Sequence, residues 1–155
     1  MFRTFAVLYF AAQIGETPMN TVRFQIEKYA SVKEIQEKFS GFYPYLQVNF
    51  FMNRDGRKIN SQTVVYSPEV KMMDINSNLI GGEFNLRDEM TVSELEKLLF
   101  DQFGLSVQVS RRSGNIWLKT NMTNNWALKE QNEHGRVISN DTPFTTAFRN
   151  VPFGC

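Results

Sequence analysis

The chain has one cysteine, one histidine and almost no excess of either charge, and each scarcity removes a class of explanation. Cys155 is the last residue, so an internal disulfide is excluded and a thiolate zinc site lacks its ligands. A chain without paired cysteines suits a reducing compartment, and the expected location is cytoplasmic. The lone His134 sits in "NEHG", where it reads as an exposed side chain near a helix C-terminus. A general base would need a partner and a pocket, which that context does not offer. Formal net charge is +1, so any basic binding surface must be local.

Other signatures are missing as well. "LIGGEF" lacks the spacing and the lysine of a phosphate-binding loop, and neither a Gly-x-Ser-x-Gly elbow nor a His-Glu-x-x-His pair occurs. Neither a catalytic residue, a metal nor a cofactor is expected. The apolar run from Phe5 to Ala12 falls far short of the ~20 residues that span a bilayer, so no transmembrane segment is expected. Behind a single Arg3, that run is a weak secretion signal, and large residues occupy the cleavage positions. Residues 1–19 read in preference as an extra packed element or an over-called start, with Met19 as the alternative initiator.

Aromatic residues are plentiful instead: fourteen Phe, five Tyr and two Trp supply a substantial core. "TVRFQI" alternates Val22, Phe24 and Ile26, the period of a half-buried strand. Ser31-Val-Lys-Glu34 is a capping box, and Val32, Ile35 and Phe39 continue it as one helical stripe. Gly41 and Pro44 close the helix, and Leu46, Val48 and Phe50 alternate on a second strand. The same order recurs later. Phe84 and Leu86 alternate, Thr91-Val-Ser-Glu94 repeats the box, Val92, Leu95 and Leu99 form the stripe with Leu98 widening it, and Gly104 stops it. Val107 and Val109 then begin a strand.

With position 24 laid on 84, only Phe24/Phe84, Val32/Val92 and Glu34/Glu94 are identical between 22 and 43; one inserted residue after the helix restores the overlay of the following strands. The shared order of elements carries more weight than the identities and points to an internal structural duplication. The alternative is that two ordinary strand–helix–strand units look alike because their physics is alike. The predicted fold is α+β: a two-layer sheet-and-helix sandwich of two similar strand–helix–strand–strand halves plus a C-terminal helix. One globular domain is expected, with halves at 20–81 and 82–135 and an irregular tail at 136–155. The two helices are expected on one side of a continuous sheet. Further strands are predicted at Val64–Tyr66 and Val70–Ile75, the latter making Asp74 a carboxylate inside an apolar strand. A short helix is predicted from about Asn125 to Glu133, stopped by Gly135.

Two basic turns are the candidate binding residues. Arg54, Arg57 and Lys58 surround the first; Arg111 and Arg112 precede the second, with Lys119 on its return strand. Alternation in "IWLK" aims Ile116 and Leu118 at the core and Trp117 away from it. Trp117 beneath the last helix, against Trp126 or Leu128, is the competing placement. The preferred functional reading is a non-enzymatic protein-interaction or scaffold module, binding another protein or itself. Basic side chains beside an exposed aromatic also suit a nucleic-acid strand, which is the first alternative. A small enzyme whose site is assembled only in three dimensions is the second.

Overall fold

The computed structural model describes residues 21–52 and 64–140. The N-terminal extension, the first basic turn with Arg54, Arg57 and Lys58, and the segment after 140 lie outside the described residues. The predicted alternations form β1 (Thr21–Ile26), β2 (Leu46–Phe50), β3 (Gly82–Arg87) and β4 (Val107–Ser113), with β5 (Ile116–Lys119) after the second turn. The helices are α1 (Val32–Phe42), a single turn α2 (Met72–Ile75), α3 (Val92–Phe103) and α4 (Leu128–Asn140). The protein is thus α+β, with helices packed on antiparallel sheets.

Both capping boxes are closed. Ser31 N–H donates to Glu34 Oε2 at 2.6 Å and Glu34 N–H returns to Ser31 Oγ at 3.2 Å. Thr91 and Glu94 repeat this at 2.9 and 3.1 Å. The next two amides of each helix, which a helix cannot satisfy internally, are met by a returning segment. Val32 and Lys33 donate to Val70 O (2.8 Å) and Pro68 O (2.9 Å); Val92 and Ser93 donate to Trp126 O (3.2 Å) and Asn124 O (2.8 Å). The returning segments are themselves held by the loop before the helix. Met72 and Met73 donate to Ala30 O (2.9 Å) and Lys28 O (3.0 Å), and Leu128 and Lys129 to Met90 O (2.8 Å) and Asp88 O (3.2 Å).

The strands form two sheets rather than one continuous sheet. β1 pairs with β3, and the second sheet has the order β2–β4–β5, all antiparallel. β1 and β2 each take a strand of the other half as ladder partner and do not pair with each other; the other edge of the β2 segment is met instead at Val65. Phe24 stands opposite Phe84 and Val48 opposite Val109, the pairs that the sequence overlay superposes. The Phe24 and Phe84 rings lie 5.4 Å apart between centroids. One contiguous cluster contains both stripes, Val32, Ile35 and Phe39 with Val92, Leu95 and Leu99, together with the inward faces of β1 to β4.

Three local expectations change. Val70–Ile75 is not a strand: Lys71 makes one bridge to Ser31, and the chain then turns through α2, because buried Met72 and its neighbour donate into the β1–α1 loop. Asp74 is accordingly exposed in a helical turn. Val64–Tyr66 reaches β2 by one bridge, Phe51 to Val65, flanked by bonds from Met52 N–H to Val64 O and Tyr66 N–H to Phe50 O, both 2.9 Å. The last helix does not stop at Gly135 but continues through it to Asn140. Gly135 serves close approach: a Cβ there would lie 2.9 Å from Tyr45 Cβ and 3.0 Å from Arg111 Cγ. His134 therefore lies within α4, half-buried and edge-on to Trp126 at 5.3 Å, rather than exposed at a helix end.

Candidate interaction surface on the outer strand

The β4–β5 turn is Gly114-Asn115, and Gly114 has φ 61°. Glycine at the first central position with positive φ suits a tight hairpin whose twist matches its strands. Two bonds fix which backbone groups face which way. Thr120 N–H donates to Val109 O at 3.3 Å, and Arg112 N–H donates away from β5, to Tyr45 O at 2.9 Å. Alternation along an antiparallel ladder then points the amides and carbonyls of Ile116 and Leu118 toward β4. Those of Trp117 and Lys119 point outward, along an edge that no described strand covers.

The side chains sort by register. Arg111 shares a face with Leu46 and Leu118, the face that α4 covers. Its Nη1 donates to Gln131 Oε1 at 2.7 Å, and its guanidinium lies 5.7 Å from the centre of the Trp126 ring. Gln131, buried in α4, is oriented in turn by donating to Thr123 O at 2.6 Å and Thr123 Oγ1 at 2.8 Å. Burial lowers the Arg111 pKa, because the charged form loses water. Arg111 is thus occupied in seating the last helix, and it takes the place beside Trp126 considered above for Trp117.

Arg112, Trp117 and Lys119 share the opposite, open face, with Arg112 directly across from Trp117. All three are exposed, and neither cation forms an ion pair with a described residue. Arg112 Nε donates to Gly114 O at 3.1 Å, which holds its stem along the turn. Of the seven residues singled out from the sequence, these three converge. Arg111 goes to the other face, and Arg54, Arg57 and Lys58 lie outside the described residues.

The expected inward placement of Ile116 and Leu118 is not what the structure has. Ile116 is 59% exposed, Leu118 42% and Trp117 43%. β5 is four residues long and lies at the sheet's outer margin, so apolar side chains reach water on both of its faces. Ile116 and Leu118 were therefore missed as surface residues, although three consecutive large apolar residues beside a polar turn are a usable signal. Along its outer edge β5 presents main-chain donors and acceptors without a described partner, apolar side chains and Lys119, with Arg112 beside Trp117 on β4.

Two carboxylates near the start of α3, Glu96 and Asp88, hold parts of the fold together. Glu96 accepts from Val109 N–H at 3.0 Å, and burial raises its pKa against the lowering effect of that bond. Asp88 accepts from Tyr43 Oη–H at 2.8 Å, tying the end of α1 to the second half. The Tyr43 pKa is pushed up, first by burial and then by Asp88. Among the described residues no group of three His, Cys, Asp or Glu is placed to hold a metal ion, and no helix is long and apolar enough to cross a membrane. No protein-family model, curated protein or solved structure matches the chain.

Proposed function

We propose that the protein is a non-enzymatic interaction module that engages a partner polypeptide along the outer edge of β5. The observation that carries this reading is the exposure of Ile116, Trp117 and Leu118 on a strand whose outer backbone groups have no described partner. Free sheet edges are usually blunted by charge, proline or a covering element, because they template strand addition. Here one cation, Lys119, stands on the strand itself, and three large apolar residues precede it. Strand addition draws affinity from main-chain hydrogen bonds and specificity from alternate side chains, and this edge presents both.

We also infer that the two halves are an internal structural duplication. The paired hydrogen bonds of the two returning segments and the strand register support it. On this reading the duplication builds the core, and the interaction edge is an addition confined to the second half.

The module is tested with Trp117→Pro. Proline removes the outward amide, while the bonds to β4 use the neighbouring residues, so the hairpin is retained. Immobilised wild-type protein is expected to retain a polypeptide that the proline variant does not, at equal thermal stability. Retention indifferent to the substitution counts against the reading.

A second reading has its own observation. Arg112, Trp117 and Lys119 lie together on the open face, a combination that suits phosphate contact and base stacking. It predicts binding of single-stranded nucleic acid that weakens steeply with salt and falls with Arg112→Ala plus Lys119→Ala. Salt-independent binding, or none, sets it aside.

A further inference from the structure

We infer that the polypeptide added to β5 is β5 of a second copy, antiparallel and centred on Trp117, giving a two-fold dimer with one six-stranded sheet. This deepens the proposed interaction edge and rests on it. The phase of the β4–β5 ladder leaves a narrow choice of register. Trp117 and Lys119 direct backbone groups outward, so a symmetric antiparallel pairing is centred either on one of them, as a hydrogen-bonded pair, or on Ile116 or Leu118, as a non-hydrogen-bonded pair. Centring on Ile116 or Leu118 would set Trp117 opposite Asn115 or Lys119 and leave it without an apolar partner. Centring on Lys119 would oppose two like charges directly, which is unfavourable across a ladder. Centring on Trp117 opposes the two indoles, sets Ile116 of each copy against Leu118 of the other, and places Lys119 opposite Asn115. Every large apolar residue exposed on β5 then acquires an apolar neighbour, and no cation meets a cation.

The two Arg112 side chains do not oppose this arrangement strongly. They would stand on strands three spacings apart, roughly 14 Å, beyond the ~8–10 Å over which exposed charges interact at ordinary salt. Isologous pairing also closes on itself, as a two-fold contact does, and so uses up the edge without open-ended growth. The molecule already contains this mode of contact twice. β1 meets β3 antiparallel with Phe24 opposite Phe84, and β2 meets β4 with Val48 opposite Val109, each centred on corresponding positions of the two halves. β5 centred on Trp117 repeats the pattern between chains.

The test is the mass of the full chain by sedimentation across a concentration series, combined with cross-linking that reads the register. Wild type is expected to pass from one-chain to two-chain mass with rising concentration, while Trp117→Pro and Trp117→Lys remain at one-chain mass. Trp117→Lys leaves the backbone untouched, so it reports on the interface if proline disturbs the hairpin. In a Cys155→Ser background, an equimolar mixture of Ile116→Cys and Leu118→Cys proteins is expected to form a disulfide-linked pair under mild oxidation. Neither protein alone should do so efficiently. A wild-type chain at one-chain mass throughout, or preferential linking of Ile116→Cys or of Leu118→Cys to itself, overturns the inference. If wild type stays at one-chain mass yet retains a different polypeptide that Trp117→Pro loses, the interaction edge stands and the second copy does not.

Discussion

In the first half the segment returning to the helix start makes one turn, Met72–Ile75; in the second, the segment making the corresponding hydrogen bonds continues as α4 to Asn140. Up to that point the two halves satisfy the same helix amides with the same pattern of carbonyls. Beyond it, α4 runs across the β4 face, drawing Arg111 beneath it and leaving β5 outside its cover. The shared part builds the core and the divergent part shapes the surface. Changes to matched core positions should therefore cost similar amounts, and changes around α4 should have no counterpart in the first half.

The largest effects test the shared core. Ile35 and Leu95 hold matched places in the two stripes, 2% and 1% exposed. Ile35→Ala and Leu95→Ala are each expected to lose about 2–5 kcal/mol, through lost burial and the cavity left behind. Because both stripes belong to one cluster, each variant should still unfold in a single transition by circular dichroism and fluorescence. Two separate transitions would mean that the halves are energetically independent, and the comparison would fail.

Glycine separates the halves next. Gly41 in α1 has nothing within 4 Å of where a Cβ would stand, whereas Gly135 in α4 would press on Tyr45 and Arg111. Gly41→Ala should stabilise the protein by up to about 1 kcal/mol, from helix propensity. Gly135→Ala should destabilise it by about 1–2 kcal/mol, overpacking outweighing that same gain. Denaturant midpoints moving in the same direction would mean that α4 is not seated as described. Smaller again are the caps: Ser31→Ala and Thr91→Ala should each cost about 1 kcal/mol, and by similar amounts if the boxes are equivalent.

The parts readable in the sequence are those governed by short-range physics. The capping boxes, both stripes and the alternations of β1 to β4 depend on neighbours within a few positions, and all appear where their spacing puts them. Trp117 and Arg112 were also legible as surface residues, since alternation and turn chemistry are local. Gly135 was not, because glycine past an amphipathic stretch looks the same whether it ends a helix or admits a strand alongside; only Tyr45, ninety positions earlier, decides. Arg111 is misread for the same reason, its surroundings being supplied by Gln131 and Trp126 from the last segment. Ile116 and Leu118 follow the alternation rule, but β5 extends beyond the helices that would have covered them.

The finest test of the comparison lies at Gln36 and Glu96, which occupy matched places in α1 and α3. Gln36 Nε2 donates to Val48 O at 2.8 Å, and Glu96 Oε1 accepts from Val109 N–H at 3.0 Å, so each helix holds one member of the Val48–Val109 pair. The difference is charge. Burial raises the Glu96 pKa, so the folded protein binds that proton more tightly than the unfolded chain. Its ionisation therefore costs stability at neutral pH, and stability from this group rises as pH falls through the folded value toward the unfolded one. Glu96→Gln keeps an acceptor for Val109 N–H and removes the ionisation. It is expected to raise stability at pH 7 by on the order of 0.5 kcal/mol, since the gain from neutrality is offset by a weaker hydrogen bond. Below the ordinary carboxylate range that gain should vanish, because Glu96 is then neutral in both states. The reciprocal Gln36→Glu should lower stability at pH 7, where a carboxylate would face the Val48 carbonyl with no donor to offer, and should recover as acid restores its proton. Thermal unfolding across pH measures all three chains. If Glu96→Gln instead destabilises the protein at pH 7 and that deficit disappears in acid, the bond to Val109 requires the charge, and the two helices hold their strands by different means.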